Sequence, residues 1–182
     1  KKKKNNLLIH KDLHLQVKNS LKLKTKLSGT NLIQFNNISD LSNQQINNSY
    51  AVIFQNPTTE GQIIDLSEIK KMETVKICGV DPLSLFKLKS PNEYEFDISY
   101  GSVNRLGLGL SYGGPHAGFI SCQSHLIRYL PGRIVAEAED KYGITGLRLG
   151  LQTREQHIKK EGALSNICTA QSLPAIIATS YV

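Results

Sequence analysis

YAVIFQNPTT (residues 50–59) and KICGVDP (residues 76–82) are the segments that decide the fold. Each is a continuous apolar run stopped by turn residues, Asn56-Pro57 in the first and Asp81-Pro82 in the second. A run that is apolar at successive positions is buried on both faces, as a parallel strand flanked by helices is. Between the two, Asp65 opens a short helix that runs through Met72. Strand, helix and strand at this spacing form a βαβ unit, and the class is α/β.

Toward the N-terminus, Leu7-Leu8-Ile9 reads as a strand. It leads into a lysine-rich stretch in which Leu13, Val17, Leu21 and Lys24 recur at helical spacing. Ser28-Gly29 stops that helix, and Leu32–Phe35 is a second strand. Residues 36–49, dense in Asn, Ser and Gln, read as a polar connector. The chain thus divides into a basic, Asn/Lys-rich region at 1–49 and an α/β body at 50–182.

Toward the C-terminus, Phe96–Tyr100 is the next strand, followed by the glycine-rich GLGLSYGGPHAGF at 107–119. Glycine at this density permits close backbone approach, and successive N–H groups can cradle an anion, although tight packing explains such turns more often. Ala117–Cys122 reads as a strand and Leu126–Leu130 as part of a short helix stopped by Pro131-Gly132. The segments at 133–139 and 146–152 make a hairpin around Lys141-Tyr142-Gly143. A charged connector, QTREQHIKKEGALSNICTAQ (152–171), precedes a largely apolar helix over 167–182, with Ser165 and Asn166 at its N-cap.

Nine lysines against one acid, Asp12, give residues 1–26 a charge of +8, which leaves the rest of the chain at −1. A basic end on a neutral body, with no aromatic residue among its lysines, argues against a nucleic-acid surface. No apolar run approaches the ~20 residues of a membrane helix. The start has neither the apolar core of a secretory signal nor the Arg/Ser composition of a transit peptide. Cys78, Cys122 and Cys168 are widely spaced, which fits a reducing compartment and no disulfide framework or zinc site. His10 and His14 share helical spacing without a third ligand, so no metal site is expected.

Arg154-Glu155-Gln156-His157-Ile158 followed by Ser165-Asn166-Ile167-Cys168-Thr169 resembles a signature of glycine dehydrogenase (decarboxylating), the P-protein of the glycine cleavage system. The resemblance continues in matching order through QNPTTEG (55–61), DPLSL (81–85), Lys89-Ser90-Pro91 with Glu93, Asp97-Ile98 with Gly101-Ser102, YGGPHAGF (112–119) and PGRIV (131–135). It is nearly continuous from Tyr50 to Tyr181 and loose from Leu7 to Phe35.

The resemblance implies a partial fold-type I pyridoxal phosphate transferase large domain, a mostly parallel sheet with flanking helices and a β-hairpin. Family members decarboxylate glycine and pass the aminomethyl group to the lipoyl arm of the H-protein. This chain resembles part of the first half, whereas the Schiff-base lysine belongs to the second half or subunit, which binds pyridoxal phosphate covalently. Where a fold-type I domain carries that lysine, just past the strand at 96–100, this chain has Asn104-Arg105. A guanidinium stays protonated and cannot condense with an aldehyde. Asp81 stands where an aspartate would pair with the pyridinium nitrogen, or else it caps the turn before Pro82. Asp81 and Arg105 then form a vestigial pocket, with Gly113 and Gly114 as a loop beside the cofactor. Arg154, Glu155, His157 and His116 are the candidates for lining an active site shared with the other half, or for a buried polar weld between halves. The compartment implied is the cytoplasm in a bacterium and the mitochondrial matrix in a eukaryote.

Three departures from the family pattern carry structural expectations. The 65–81 segment is shorter by about one helical turn, which should shift the following strand or unwind the helix. Pro174 falls inside the last helix, at a cost of ~3 kcal/mol. Gly162 replaces a better helix former. With both ends inside the family's domain, the chain reads as a fragment that is inactive alone. The alternative is a non-catalytic relic or structural remnant.

Overall fold

A computed structural model describes residues 4–152, 155, 157–158, 160–163 and 171–182. The chain forms two compact units, residues 1–121 with 171–182, and residues 122–170.

The first unit is built on a sheet whose strands are β1 (Asn6–His10), β2 (Asn31–Phe35), β3 (Ser49–Asn56), β4 (Val75–Val80), β5 (Ile98–Ser102) and β6 (Gly118–Cys122), in the order β2-β1-β3-β4-β5-β6. The pairs from β2 to β5 are all parallel. The parallel pairing expected of the strand–helix–strand unit holds for β3 and β4, although no α-helix joins them, and strands from the basic N-terminal stretch lie in the same sheet as β3.

Helix α1 (Leu15–Ser28) crosses from β1 to β2. It turns Val17 and Leu21 onto Leu7, Ile9, Leu13, Ala51 and Ile53. The stripe continues to the buried Thr25 instead of Lys24, and the Thr25 hydroxyl donates to the Leu21 carbonyl (2.8 Å). Gly29 ends the helix in the left-handed region at φ 68°, a conformation that glycine adopts without Cβ strain. The opposite face of the sheet buries Leu8, Val52, Phe54 and Cys78 under Leu66, Ile69, Met72 and Phe96. Phe35, Phe54 and Phe96 meet edge to face.

Several elements depart from expectation. The polar connector contains a one-turn helix, α2 (Asn43–Asn47), whose cap Ser42 accepts from the Gln45 N–H while the Gln45 side chain accepts from the Ser42 N–H. The 65–72 segment is a five-residue 3₁₀ turn, Ser67–Lys71, while β3 and β4 stay in unbroken register from Ala51↔Val75 to Asn56↔Val80. A ladder of cross-strand hydrogen bonds holds its register while the short connector tightens. β5 begins at Ile98 because Phe96 is drawn into the core, 3% exposed. Residues Ser124–Tyr129 also form a 3₁₀ turn.

The last helix, α3, spans Ser172–Tyr181, so Pro174 is its third residue. Its first backbone bond runs from the Ala175 N–H to the Gln171 carbonyl (3.1 Å). The missing N–H of Pro174 lies among donors that have no intrahelical partner, and the expected penalty does not arise. Ser165 and Asn166 lie outside the described residues.

The second unit carries the expected hairpin, β7 (Ile134–Glu139) paired antiparallel with β8 (Thr145–Leu151). Asp140 organises its turn, its Oδ1 accepting from the Tyr142 and Ile144 N–H groups, with Gly143 at φ 79°. Among the described residues, no helix is long and apolar enough to cross a membrane.

Candidate functional site

The C-terminal ends of β3, β4 and β5 open onto one cavity of about 520 Å³. The carboxyl ends of parallel strands are where α/β sheets place ligands, because the connections there diverge. The floor is a single layer of the sheet, in which Gln55 pairs with Gly79 and Gly79 with Tyr100. With no side chain at 79, the Tyr100 ring lies across the middle strand. A Cβ on Gly79 would stand 3.0 Å from its Cζ and hydroxyl.

Gln55 ties the cavity to the start of α1. Its Oε1 accepts the His14 backbone N–H (3.0 Å), so its Nε2 is the group that faces His14 Nε2 (3.0 Å). That ring nitrogen therefore accepts, and His14 Nδ1–H donates to the Thr59 hydroxyl (3.0 Å). The wall beyond holds Pro57 and Thr58. The Thr58 hydroxyl bonds the Asp12 carboxylate and is the main cause that holds Asp12 below the usual carboxylate range.

Asp81 and Arg105, 24 residues apart, meet at this cavity. Arg105 Nη1 donates to Asp81 Oδ2, while Asp81 Oδ1 accepts from the Leu83 N–H (3.1 Å). Asp81 thus both caps the turn at Pro82 and pairs with the guanidinium. With Arg105 68% and Asp81 26% exposed, the pair sits where solvent screens it and contributes little stability. Val80, Gly101 and Ser102 complete the lining, which contains no lysine among the described residues.

The Tyr100 hydroxyl is buried and has no hydrogen-bond partner among the described residues. Burial pushes its phenol up to about 12. Cys78, on the other face of the sheet, is likewise pushed up to about 12 by burial, which leaves it an inert thiol.

The other expected residues lie elsewhere. His116 Nδ1 faces Asn104 Nδ2, because Asn104 Oδ1 accepts from the Ala117 N–H (3.2 Å). Both are outside the cavity lining. The Gly113 and Gly114 N–H groups both donate to the Leu110 carbonyl (2.7 and 3.1 Å), inside their own loop. In the second unit Glu155 lies 3.6 Å from Arg133, and His157 Nε2 lies 3.1 Å from Gln152 Oε1. Arg154 lies outside the described residues. Among those described, no group of three His, Cys, Asp or Glu is placed to hold a metal ion.

Gln55, Gly79, Val80 and Tyr100 are lining residues that sequence reasoning did not single out, and it weighed His14 only as a metal ligand. The available signal was their place at or just beyond the ends of buried strands, with 55, 79 and 100 on one face by period-two alternation.

The family profile described as "Glycine cleavage system P-protein" matches residues 1–182. Glycine dehydrogenase (decarboxylating), mitochondrial, of Gallus gallus is 46% identical over 134 residues, which cover 71% of this chain and 13% of that protein. Glycine dehydrogenase (decarboxylating) of Bradyrhizobium diazoefficiens is 40% identical over 177 residues, covering 95% and 18%. The chain therefore spans under a fifth of the length of these relatives. The crystal structure of glycine decarboxylase (P-protein) of the glycine cleavage system, in inhibitor-bound form, superposes with a TM-score of 0.86 at 32% identity, over 97% of this chain and 42% of that one. Cystathionine gamma synthase from Xanthomonas oryzae pv. oryzae, at 14% identity and a TM-score of 0.52 over 67% of this chain and 33% of that one, shares the fold alone. The expected partial fold-type I architecture is present. With a profile matched from end to end and a backbone shared with a solved P-protein, this chain belongs to the glycine cleavage system P-protein family.

Proposed function

We propose that the chain is part of the first half of glycine decarboxylase, the half without the Schiff-base lysine. In the complete protein, glycine is decarboxylated and the aminomethyl group passes to the lipoyl arm of the H-protein. The observation that carries this division of labour is the Asp81–Arg105 pair in a cavity whose described lining has no lysine. Arg105 cannot condense with an aldehyde, and the carboxylate that would meet a pyridinium is already engaged. The cavity does not fit covalently held pyridoxal phosphate, so on this reading the cofactor belongs to the second half. Arg154, Glu155 and His157 then face that half, with His116 and the Gly113-Gly114 loop as further candidates. The compartment follows the host, cytoplasm in a bacterium and mitochondrial matrix in a eukaryote.

Two measurements test the proposal. The chain alone, incubated with pyridoxal phosphate and reduced with borohydride, should carry no stoichiometric label on a lysine within residues 76–110. Supplied with a cofactor-bearing second half and lipoylated H-protein, it should support glycine-dependent decarboxylation. A specific label overturns the assignment that this half lacks the Schiff-base lysine. A folded, assembled complex without activity favours a structural remnant instead.

A further inference from the structure

Helix α1 carries apolar residues on both of its faces. Val17 and Leu21 lie against the sheet, but Leu23 and Leu27, one turn apart on the side away from it, are 60% and 79% exposed. At about 100° per residue these two leucines form a ridge, with Lys22 and Lys26 along one flank and Lys24 along the other. All three lysines are exposed, and α1 contains no acidic residue. Among the described residues, no ion pair engages them.

The fold adds charge at the same end. Because α1 runs back along β1, its last turn lies beside the start of that strand. There the Asn5 side chain donates to the Gly29 carbonyl (3.3 Å), and the Asn31 N–H donates to the Asn5 carbonyl (2.9 Å). Lys4, next to Asn5 in the chain, therefore stands at the end of α1 that holds Lys22, Lys24 and Lys26, its Nζ donating to the Glu73 carbonyl (3.2 Å). A cation in the last turn complements the helix dipole, which accounts for Lys26 but not for Lys22, Lys24 or the two leucines. The excess of +8 over residues 1–26, against −1 for the remainder, is thus concentrated in the stretch that presents this ridge.

We propose that this face of α1 docks on an anionic lipid surface, with Leu23 and Leu27 entering the headgroup layer and Lys22, Lys24 and Lys26 meeting lipid phosphates. Lysine suits that role, since its stem lies along apolar surface while the ammonium stays among polar groups. The leucine ridge is what separates a bilayer from other polyanions. A nucleic-acid backbone gives two leucines nothing to enter, and α1 has no aromatic residue to stack on bases. The contact is peripheral, because a 14-residue helix is too short to span a bilayer and the inner face of α1 is committed to the sheet. The inference rests on α1 alone, so failure of the decarboxylation reading leaves it standing.

The probe is a phosphatidylcholine vesicle with about 30% phosphatidylserine, co-sedimented with the 182-residue chain at about 0.1 M salt. The chain should partition onto it at least about a hundredfold more strongly than onto pure phosphatidylcholine, and about 0.5 M salt should weaken the binding. Changing Lys22, Lys24 and Lys26 together to Gln should cost about a hundredfold, roughly fivefold for each charge. Leu23→Gln with Leu27→Gln keeps every charge and should cost about tenfold or more. Gln is a good helix former and all five positions are exposed, so both variants should melt like the parent. They are tested separately, so misfolding of one leaves the other to decide. A DNA duplex at equal phosphate concentration should not displace the chain from the vesicles. No binding to anionic vesicles, equal binding to neutral ones, or a folded lysine variant that partitions like the parent would each overturn the proposal. A folded leucine variant that partitions like the parent, or displacement by DNA, would also overturn it, by reducing the face to a general polyanion surface.

Discussion

Tyr100 occupies the space that Gly79 leaves open, its hydroxyl 3.0 Å from where a Cβ on residue 79 would stand, with Gln55 Cγ at 3.4 Å on the other side. The three residues are neighbours across β3, β4 and β5, so an absent side chain on the middle strand lets the outer two approach.

Gly79→Ala should therefore destabilise the chain by about 1–3 kcal/mol, the usual range for an added methyl in a packed layer. Because the hydroxyl is one of the two nearest atoms, Tyr100→Phe should relieve part of this. A denaturant-based double-mutant cycle should show coupling of about 0.5 kcal/mol or more. Additive effects would mean that the ring swings clear unaided.

Gly101→Ala should be worse. There a Cβ would stand 2.1 Å from the Val80 carbonyl oxygen and 2.7 Å from the Phe119 ring. A flexible side-chain tip can yield, but a carbonyl held in a sheet cannot without moving its strand. The expected cost is about 3 kcal/mol or more, at or beyond the upper end for overpacking. Urea midpoints of the two glycine variants compare them directly, and a Gly101→Ala midpoint at or above that of Gly79→Ala would refute the ranking.

His10 should make stability depend on pH near neutrality. Its ring is buried, stacked on Phe54 and edge-on to Phe35, and Nδ1 accepts from the Asp12 N–H (3.2 Å). Burial chiefly lowers its pKa below the usual 6.5, partly offset by a bond to the Asn36 backbone. The unfolded chain then binds the proton more readily, so this contribution is complete above about 6.5 and is lost as pH falls below it. Asp12, held low by Thr58, loses its contribution only as pH falls through the carboxylate range. Chemical denaturation at pH 7.5 and 5.5 should show a larger drop for the parent than for His10→Gln, and equal drops would contradict it.

Arg154→Lys separates two roles for the charged connector once a second half is supplied. Lysine keeps the charge but loses the two-pronged geometry suited to a carboxylate or phosphate. A residue lining the shared site would lose activity with assembly intact. A residue in a buried weld would lose association first, at roughly 1–3 kcal/mol per unsatisfied group. We expect association to weaken first, measured with decarboxylation on the same sample. Intact assembly with lost turnover would reverse that assignment.

The sequence by itself determined the parallel α/β order. Apolar runs such as Ala51–Phe54 and Ile77–Val80 need burial on both faces wherever they sit. Gly29 and Asp140 end or turn their elements through strictly local chemistry. Motif order pointed to the family, and through it to Asp81 and Arg105, whose 24-residue separation carries no local signal of contact. Only the tertiary structure decided the strand register that sets Gln55, Gly79 and Tyr100 in one layer and joins His14 to Thr59. It also turned Phe96 inward and tightened residues 67–71 into a 3₁₀ turn. Periodicity along a chain says which face of a residue is apolar. Which residues meet is decided by cross-strand hydrogen bonding and close packing between distant segments, and no local pattern encodes these.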